Sequence, residues 1–130
     1  MADIALTTTK LFDRPETFKV VPTSDVDLTV SGGATPSAQS VAMDTRGSRA
    51  VTLTIDHNLT GSDSTDLDAE VFTSYDGSKF DNEAYCSLNL GAGKVKSIPI
   101  APGPAYIRWK ITNNDAVNMT KVWPVVTVVR

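Results

Sequence analysis

The sequence has 130 residues, enough for one domain of ordinary size, and a second domain is not expected. Hydrophobic residues make up 41% and charged residues 21%, a balance typical of a globular protein. The net charge of −3 and a pI near 5.0 provide no basic surface for DNA or RNA, so we expect no nucleic-acid partner. Abundant Thr, Val and Ser, with 8 Gly and 7 Pro, favour strands and turns over helices.

Residues 1–18 have scattered apolar side chains with neither a strand period nor a helix period, and Pro15 interrupts them. We therefore expect an extended N-terminal arm, followed by a single β-sandwich domain over residues 19–130. Exposing a large apolar side chain to water forfeits roughly 1.5–3 kcal/mol. The arm thus either packs across its own domain or lies on a neighbouring subunit. Its large apolar residues are Ile4, Leu6, Leu11, Phe12 and Phe18.

No basic segment followed by a long apolar run opens the sequence, so we expect no secretory signal. No stretch approaches the roughly 20 apolar residues of a membrane helix, and we expect no membrane partner. Production in a cytoplasm is the corresponding expectation.

Alternation of apolar and polar side chains predicts strands along the rest of the chain. It is clearest at Val51, Leu53 and Ile55, and again in 106–112, where it places Trp109 in the core. Pro124 predicts a bulge or an edge in the last strand. The strand patterns cover residues 19–21, 26–30, 39–44, 51–56, 67–75, 84–90, 95–100, 106–112 and 117–129.

These strands follow one another at the spacing of a sandwich or barrel, and no segment reaches three turns of an amphipathic helix. The sequence therefore predicts an all-β protein, an antiparallel β-sandwich of the jelly-roll type. The run 67–75 is rich in Val, Phe, Thr and Tyr and is followed by Asp76-Gly77. That pair predicts a tight turn before Phe80. Polar runs predict a loop over 57–66 and a turn at 113–115.

The residues that could perform covalent or acid-base catalysis are few. His57 and Cys86 are the single histidine and the single cysteine, and neither G-x-S-x-G nor H-E-x-x-H occurs. We interpret His57 as a solvated loop imidazole and Cys86 as a thiol packed in a strand. The sequence therefore predicts that the protein is not an enzyme and has no cofactor.

Two binding sites are considered. Asp63, Asp66 and Asp68 are weak calcium candidates because Ca²⁺ prefers carboxylate oxygens, but their spacing lacks the EF-hand pattern, and solvated loop acids are the simpler interpretation. Exposed aromatic rings could form a platform on which a sugar stacks. The candidates for that platform are Tyr75, Tyr85, Tyr106 and Trp123, of which alternation places Tyr106 on an outward face.

Three segments together resemble a known family. They are V-A-M-D-T-R-G-S-R-A-V-T-L-T-I (41–55), A-E-V-F-T-S-Y-D-G-S-K-F (69–80) and P-A-Y-I-R-W-K-I-T-N-N-D (104–115), followed by a Val-rich last strand. With these segments the chain resembles the jelly-roll decoration, or cement, proteins of tailed-phage capsids. The resemblance implies a homo-oligomer, a trimer or a dimer, that attaches through loops or an N-terminal arm.

The first hypothesis is therefore a phage virion structural protein that binds and stabilises the outside of the capsid. Its partner would be the major capsid protein, which it would contact through the apolar residues of the arm. It would be assembled in the bacterial cytoplasm and would lie on the virion surface. The alternative is a carbohydrate-binding β-sandwich module, with or without Ca²⁺, of a fibre or host protein.

Overall fold

β-strands make up the regular structure that the computed structural model describes, and no helix lies within the described ranges, which confirms the all-β class. Those ranges are residues 3–12, 17–24, 26–28, 37–57, 67–90, 96–100, 105–114 and 121–130. The strands are β1 (Asp3–Ile4), β2 (Leu6–Phe12), β3 (Thr17–Pro22), β4 (Val26–Asp27), β5 (Ser37–Ser40), β6 (Met43–Asp44), β7 (Ala50–His57), β8 (Leu67–Ser74), β9 (Cys86–Leu90), β10 (Lys96–Ile100), β11 (Tyr106–Asn113) and β12 (Lys121–Val129). A search of the described residues finds no helix with the length and apolarity needed to cross a membrane.

Four nested strand pairs define the topology. The outermost pair joins β3 to β12, the next joins β5 to β11, the third joins β7 to β10, and the innermost joins β8 to β9, all antiparallel. Successive pairs alternate between two sheets, so the chain behaves as one long hairpin wrapped around a core. This is the topology of a jelly roll, and the predicted antiparallel β-sandwich of that type is confirmed.

Each sheet is built around one long central strand. Sheet A has the order β1-β5-β11-β8-β9, and β6 also pairs with β11. Sheet B has the order β10-β7-β12-β3-β2, and β4 also pairs with β12. We call the side of each sheet that points away from the other its outer face.

The core lies between the sheets and follows the predicted alternation. Val51, Leu53 and Ile55 of β7 are at most 3% exposed, and Trp109 of β11 is 1% exposed. The backbone N–H of Trp109 donates to the hydroxyl of buried Ser40 at 3.1 Å, which ties β11 to β5. The side chains below 2% exposure are Trp109, Leu28, Leu53, Ile55, Leu67, Leu90, Ile107, Ile111, Val71, Val122 and Val126.

Pro124 lies within β12 without ending it. On one side β12 pairs with β7 without interruption from Val122 to Val129, and Pro124 lies opposite Ile55. On the other side, the partners of β12 change from β4 at residues 121–122 to β3 at residues 126–129. Within the described part of the chain, no ladder partner faces residues 123–125 on that side. The predicted bulge or edge in the last strand is therefore wrong, because β12 is continuous and lies inside sheet B.

The predicted arm contributes strands to both sheets where it is described. β1 runs parallel to β5 in sheet A, and β2 runs antiparallel to β3 in sheet B. Ile4, Leu6 and Phe18 pack against the core, whereas Leu11 is 43% exposed beside a register shift between Lys10 and Phe12. Phe12 lies at the end of β2. A contact of these five apolar residues with a partner stays a prediction.

Two expectations for single residues are wrong. His57 is not a solvated loop residue. Every second side chain of β7 points inward, and His57, two residues after Ile55, is the last of these and is 8% exposed. Asn113 is not in a turn but ends β11 at 0% exposure, where its side-chain amide donates to the carbonyl of Leu28 at 2.9 Å. That hydrogen bond compensates for burying the amide.

The turn after β8 has the predicted Asp76-Gly77 pair at its centre. The Ser74 hydroxyl accepts from the Gly77 amide at 3.0 Å, and Asp76 Oδ1 accepts from the amides of Ser78 and Lys79 at 2.9 Å each. The hydrogen bonds from Lys79 and Ser78 lower the pKa of Asp76. Gly77 has a φ of 84°, which favours glycine, and the turn brings Phe80 back to pair with Ser74.

Candidate functional site

The outer face of sheet A carries charged and aromatic side chains next to one another. Ala69 and Val71 of β8 are buried, so the strand period turns Glu70 and Phe72 outward. In the register of the two strands, Arg108 lies opposite Phe72 and Lys110 lies opposite Glu70. Residues directly opposite in an antiparallel pair share one face. We call this set, completed by Phe80, the β8–β11 face.

Phe80 positions Arg108 on this face. The Cζ atom of Arg108 lies 4.3 Å from the centroid of the Phe80 ring, and both residues are partly buried. A guanidinium stacked on a ring gains about 0.5–2 kcal/mol of attraction and keeps its plane fixed by the ring. The stack therefore presents the donors of Arg108 in a restricted orientation beside Phe72.

A hollow of about 540 Å³ extends the face toward the edge strand β9. In it, Asp68 accepts hydrogen bonds from the side-chain amides of Asn89 and Asn114, both at 2.7 Å. Ser87 lies opposite Glu70 in the β8–β9 register, so its hydroxyl belongs to the same face. The face thus combines two kinds of group. The aromatic rings can pack against the C–H groups of a sugar. The carboxylate, amide and hydroxyl groups can form hydrogen bonds with the sugar hydroxyls.

Tyr106 points outward as predicted, but other groups cover its ring. A Cβ at Gly77 would lie 3.2 Å from the ring, and Arg46 Cζ lies 5.2 Å from its centroid. Arg46 is held in turn by Asp44, through bonds of 3.0 Å to Oδ1 and 2.7 Å to Oδ2. Tyr106 therefore supports the turn and the strand end, and the ring does not offer an open platform.

The Asp44–Arg46 pair predicts a dependence of stability on pH. Hydrogen bonds from the Arg46 side chain and amide lower the pKa of Asp44 from 3.8 to about 2. Because the folded pKa lies below the unfolded one, the stabilisation is complete above pH 3.8 and is lost as the pH falls toward 2. Asp44 is 40% exposed, so we expect Asp44→Asn to cost only about 1 kcal/mol at neutral pH and almost nothing near pH 2. Urea unfolding between pH 7 and pH 2 measures this.

Arg46→Met is the matched variant for that experiment. It removes the side-chain bonds to Asp44 but leaves the bond from the Arg46 amide, so its pH-dependent loss should be smaller than that of Asp44→Asn. The double variant should show no more pH dependence than Asp44→Asn does. A difference between the wild type and Asp44→Asn that stays constant over this pH range would contradict the prediction.

The remaining platform candidates do not lie together. Tyr75 is 79% exposed directly after β8, Tyr85 is 48% exposed before β9, and Trp123 projects from the outer face of sheet B. The four predicted aromatic residues therefore do not form one sugar platform. The aromatic residues of the β8–β11 face are instead Phe72, opposite Arg108, and Phe80, on whose ring Arg108 lies.

The calcium candidates are only partly described. Asp63 and Asp66 lie outside the described residues, and Asp68 is bonded to two asparagine amides. Within the described ranges, no three His, Cys, Asp or Glu residues are grouped so that they could hold a metal ion. Calcium assistance stays a prediction.

The two candidate catalytic residues lie in different sheets, His57 in β7 and Cys86 in β9. Cys86 packs against the core as predicted, and burial raises the pKa of its thiol. A raised pKa lowers the fraction of reactive thiolate. The absence of enzymatic activity stays a prediction.

Comparison with known proteins gives the fold. No protein-family model and no curated protein sequence matches the chain. A family 16 carbohydrate-binding module aligns with a TM-score of 0.51 and 13% identity over 98% of this chain and 86% of its own. The enzymatically active domain of tailspike protein 4 of bacteriophage CBA120 aligns with a TM-score of 0.54 and 12% identity over 99% of this chain.

A third structure contains the CBM22-1 and GH10 modules of Clostridium thermocellum endo-1,4-β-D-xylanase 10B with xylohexaose. It aligns with a TM-score of 0.49 and 12% identity over 96% of this chain. The chain spans only 24% of that protein chain and 18% of the tailspike chain. At these identities the likeness shows the β-sandwich fold alone.

Proposed function

We propose that the protein is a carbohydrate-binding β-sandwich domain and that the β8–β11 face is its sugar-binding surface. The observation that carries the proposal is the register of β8 and β11, which sets Phe72 beside Arg108 and Glu70 beside Lys110 on an outer face. The rings supply apolar contact. The cations donate hydrogen bonds to sugar hydroxyls, and the carboxylate accepts hydrogen bonds from them. The fold shared with a carbohydrate-binding module supports the proposal.

The dimensions of the face suit an extended ligand. The four residue steps from Asp68 to Phe72 along β8 span about 13 Å at the rise of a β-strand. Aromatic surface lies at the Phe72 end and the polar hollow at the Asp68 end. A short oligosaccharide can therefore meet stacking groups and hydrogen-bonding groups at the same time.

A glycan array followed by calorimetry on the bound sugars tests the proposal. Phe72→Ala should weaken binding by about tenfold or more, because it removes the aromatic contact. Phe72→Leu, which retains most of the apolar volume, should weaken binding without changing the unfolding midpoint. Trp123→Ala is the matched control, since it removes an aromatic side chain from the outer face of sheet B.

Two results would overturn the proposal. Absence of binding to every glycan on the array at high protein concentration would reject carbohydrate recognition. Loss of binding in Trp123→Ala with unchanged binding in Phe72→Ala would reject the assignment to the β8–β11 face.

A further inference from the structure

We propose that the sugar bound by the β8–β11 face is acidic, and that Arg108, assisted by Lys110, binds its carboxylate or sulfate group. This inference rests on the proposed carbohydrate binding and adds the chemical class of the ligand. A neutral sugar does not require an unpaired cation on the binding surface, whereas an acidic sugar does.

Several carboxylates near this face already have hydrogen-bond donors from the protein. Asp68 accepts from two asparagine amides, and Asp44 from Arg46. Asp3 accepts from the Gln39 amide at 2.8 Å, and Asp81 from the Thr73 hydroxyl at 3.0 Å. Apart from Arg46 these donors are neutral, so the carboxylates keep their charge, and none of them lies within ion-pair distance of Arg108.

The two cations of the face differ from these carboxylates. Among the described residues, no carboxylate lies within ion-pair distance of Arg108 or Lys110, although Glu70 is opposite Lys110 in the register. The Nε atom of Arg108 is buried and has no hydrogen-bond acceptor in the described part of the chain. Because Nε is shielded from solvent, a ligand oxyanion would bind the terminal nitrogens of the guanidinium, with which no carboxylate of the described residues forms an ion pair.

The geometry of Arg108 suits an oxyanion. Its stack on Phe80, at 4.3 Å from Cζ to the ring centroid, restrains the planar fork of donors that matches a carboxylate or a sulfate. Lys110 is two residues along the same strand and on the same face, about 7 Å away. The two cations balance the charges of Glu70 and Asp68, so the face as a whole has no net charge. Arg108 faces no carboxylate in the register of β8 and β11, and an acidic sugar group is the complementary ligand at that position.

Calorimetry with two matched pairs of polymers tests the inference. Polygalacturonate is compared with its methyl ester, which has the same backbone without the charge, and a sulfated galactan is compared with the unsulfated galactan. We expect at least one acidic polymer to bind about tenfold or more tightly than its neutral partner, with an affinity that falls as salt rises. The polymer that binds identifies the acidic group as carboxylate or sulfate.

Arg108→Gln should weaken binding of the acidic polymer by about tenfold or more and bring the ratio of the acidic to the neutral affinity close to one. Arg108→Lys keeps the charge but loses the planar set of guanidinium donors, so it should retain part of the preference for the acidic polymer. Lys19→Gln is the control, because Lys19 is a cation on the outer face of sheet B, opposite Thr127. Unfolding midpoints verify that the variants are folded.

Equal affinity for acidic and neutral polymers would overturn the inference and leave the proposed function intact. An equal loss in Lys19→Gln and Arg108→Gln would also overturn it, by showing that the attraction is not specific to this face. Absence of binding to all four polymers and to the array would reject the proposed function together with the inference.

Discussion

Trp109→Ala is expected to lower the free energy of unfolding by about 3–5 kcal/mol. Trp109 is 1% exposed at the centre of sheet A, and its backbone N–H donates to buried Ser40. Truncation would remove the largest fully buried side chain and leave a cavity between two sheets that cannot close without moving β8 and β11. Denaturant unfolding monitored by circular dichroism measures the loss.

Tyr75→Ala is the matched control for that experiment. Tyr75 is also a large aromatic residue, but it is 79% exposed. Its truncation should change the free energy of unfolding by less than about 0.5 kcal/mol. Similar losses in the two variants would contradict the assignment of Trp109 to the core.

Gly77→Ala is expected to cost about 2–4 kcal/mol, and Gly47→Ala about 1 kcal/mol. Both glycines have positive φ, 84° at Gly77 and 70° at Gly47, so an added Cβ strains the backbone at either position. At Gly77 the Cβ would also lie 3.2 Å from the ring of Tyr106, whereas at Gly47 nothing lies within 4 Å. The difference between the two variants therefore measures the contact with Tyr106.

A double-mutant cycle separates strain from contact. In a Tyr106→Ala background the ring is absent, so Gly77→Ala should cost only as much as Gly47→Ala does. If Gly77→Ala costs the same with and without the Tyr106 ring, the close approach has no energetic effect and the prediction fails.

The strands were predictable because their signal is local. Alternation over a few residues identified the inward faces of β7 and β11, and a buried Trp109, without knowledge of any partner strand. The same period in 67–74 places Phe72 outward beside Glu70. The outward position of Phe72 is therefore predictable from the sequence.

The candidate site as a whole was not predictable because it depends on pairing between distant segments. Nothing local to Arg108 shows that Phe72 lies opposite, or that a turn centred on Gly77 returns Phe80 beneath the guanidinium. His57 was misjudged for a related reason. A polar residue next to a loop is expected to be solvated, and the strand β12 that pairs with His57 is far away in sequence.

The nested pairing of the strands has a consequence for biosynthesis. β12 is the last strand in chain order, yet it lies at the centre of sheet B between β7 and β3. Until it has left the ribosome, two strands made much earlier lack their common partner and expose backbone hydrogen-bonding groups. We therefore expect the β2–β3 and β7–β10 pairs to join into one sheet only after synthesis of residues 121–129.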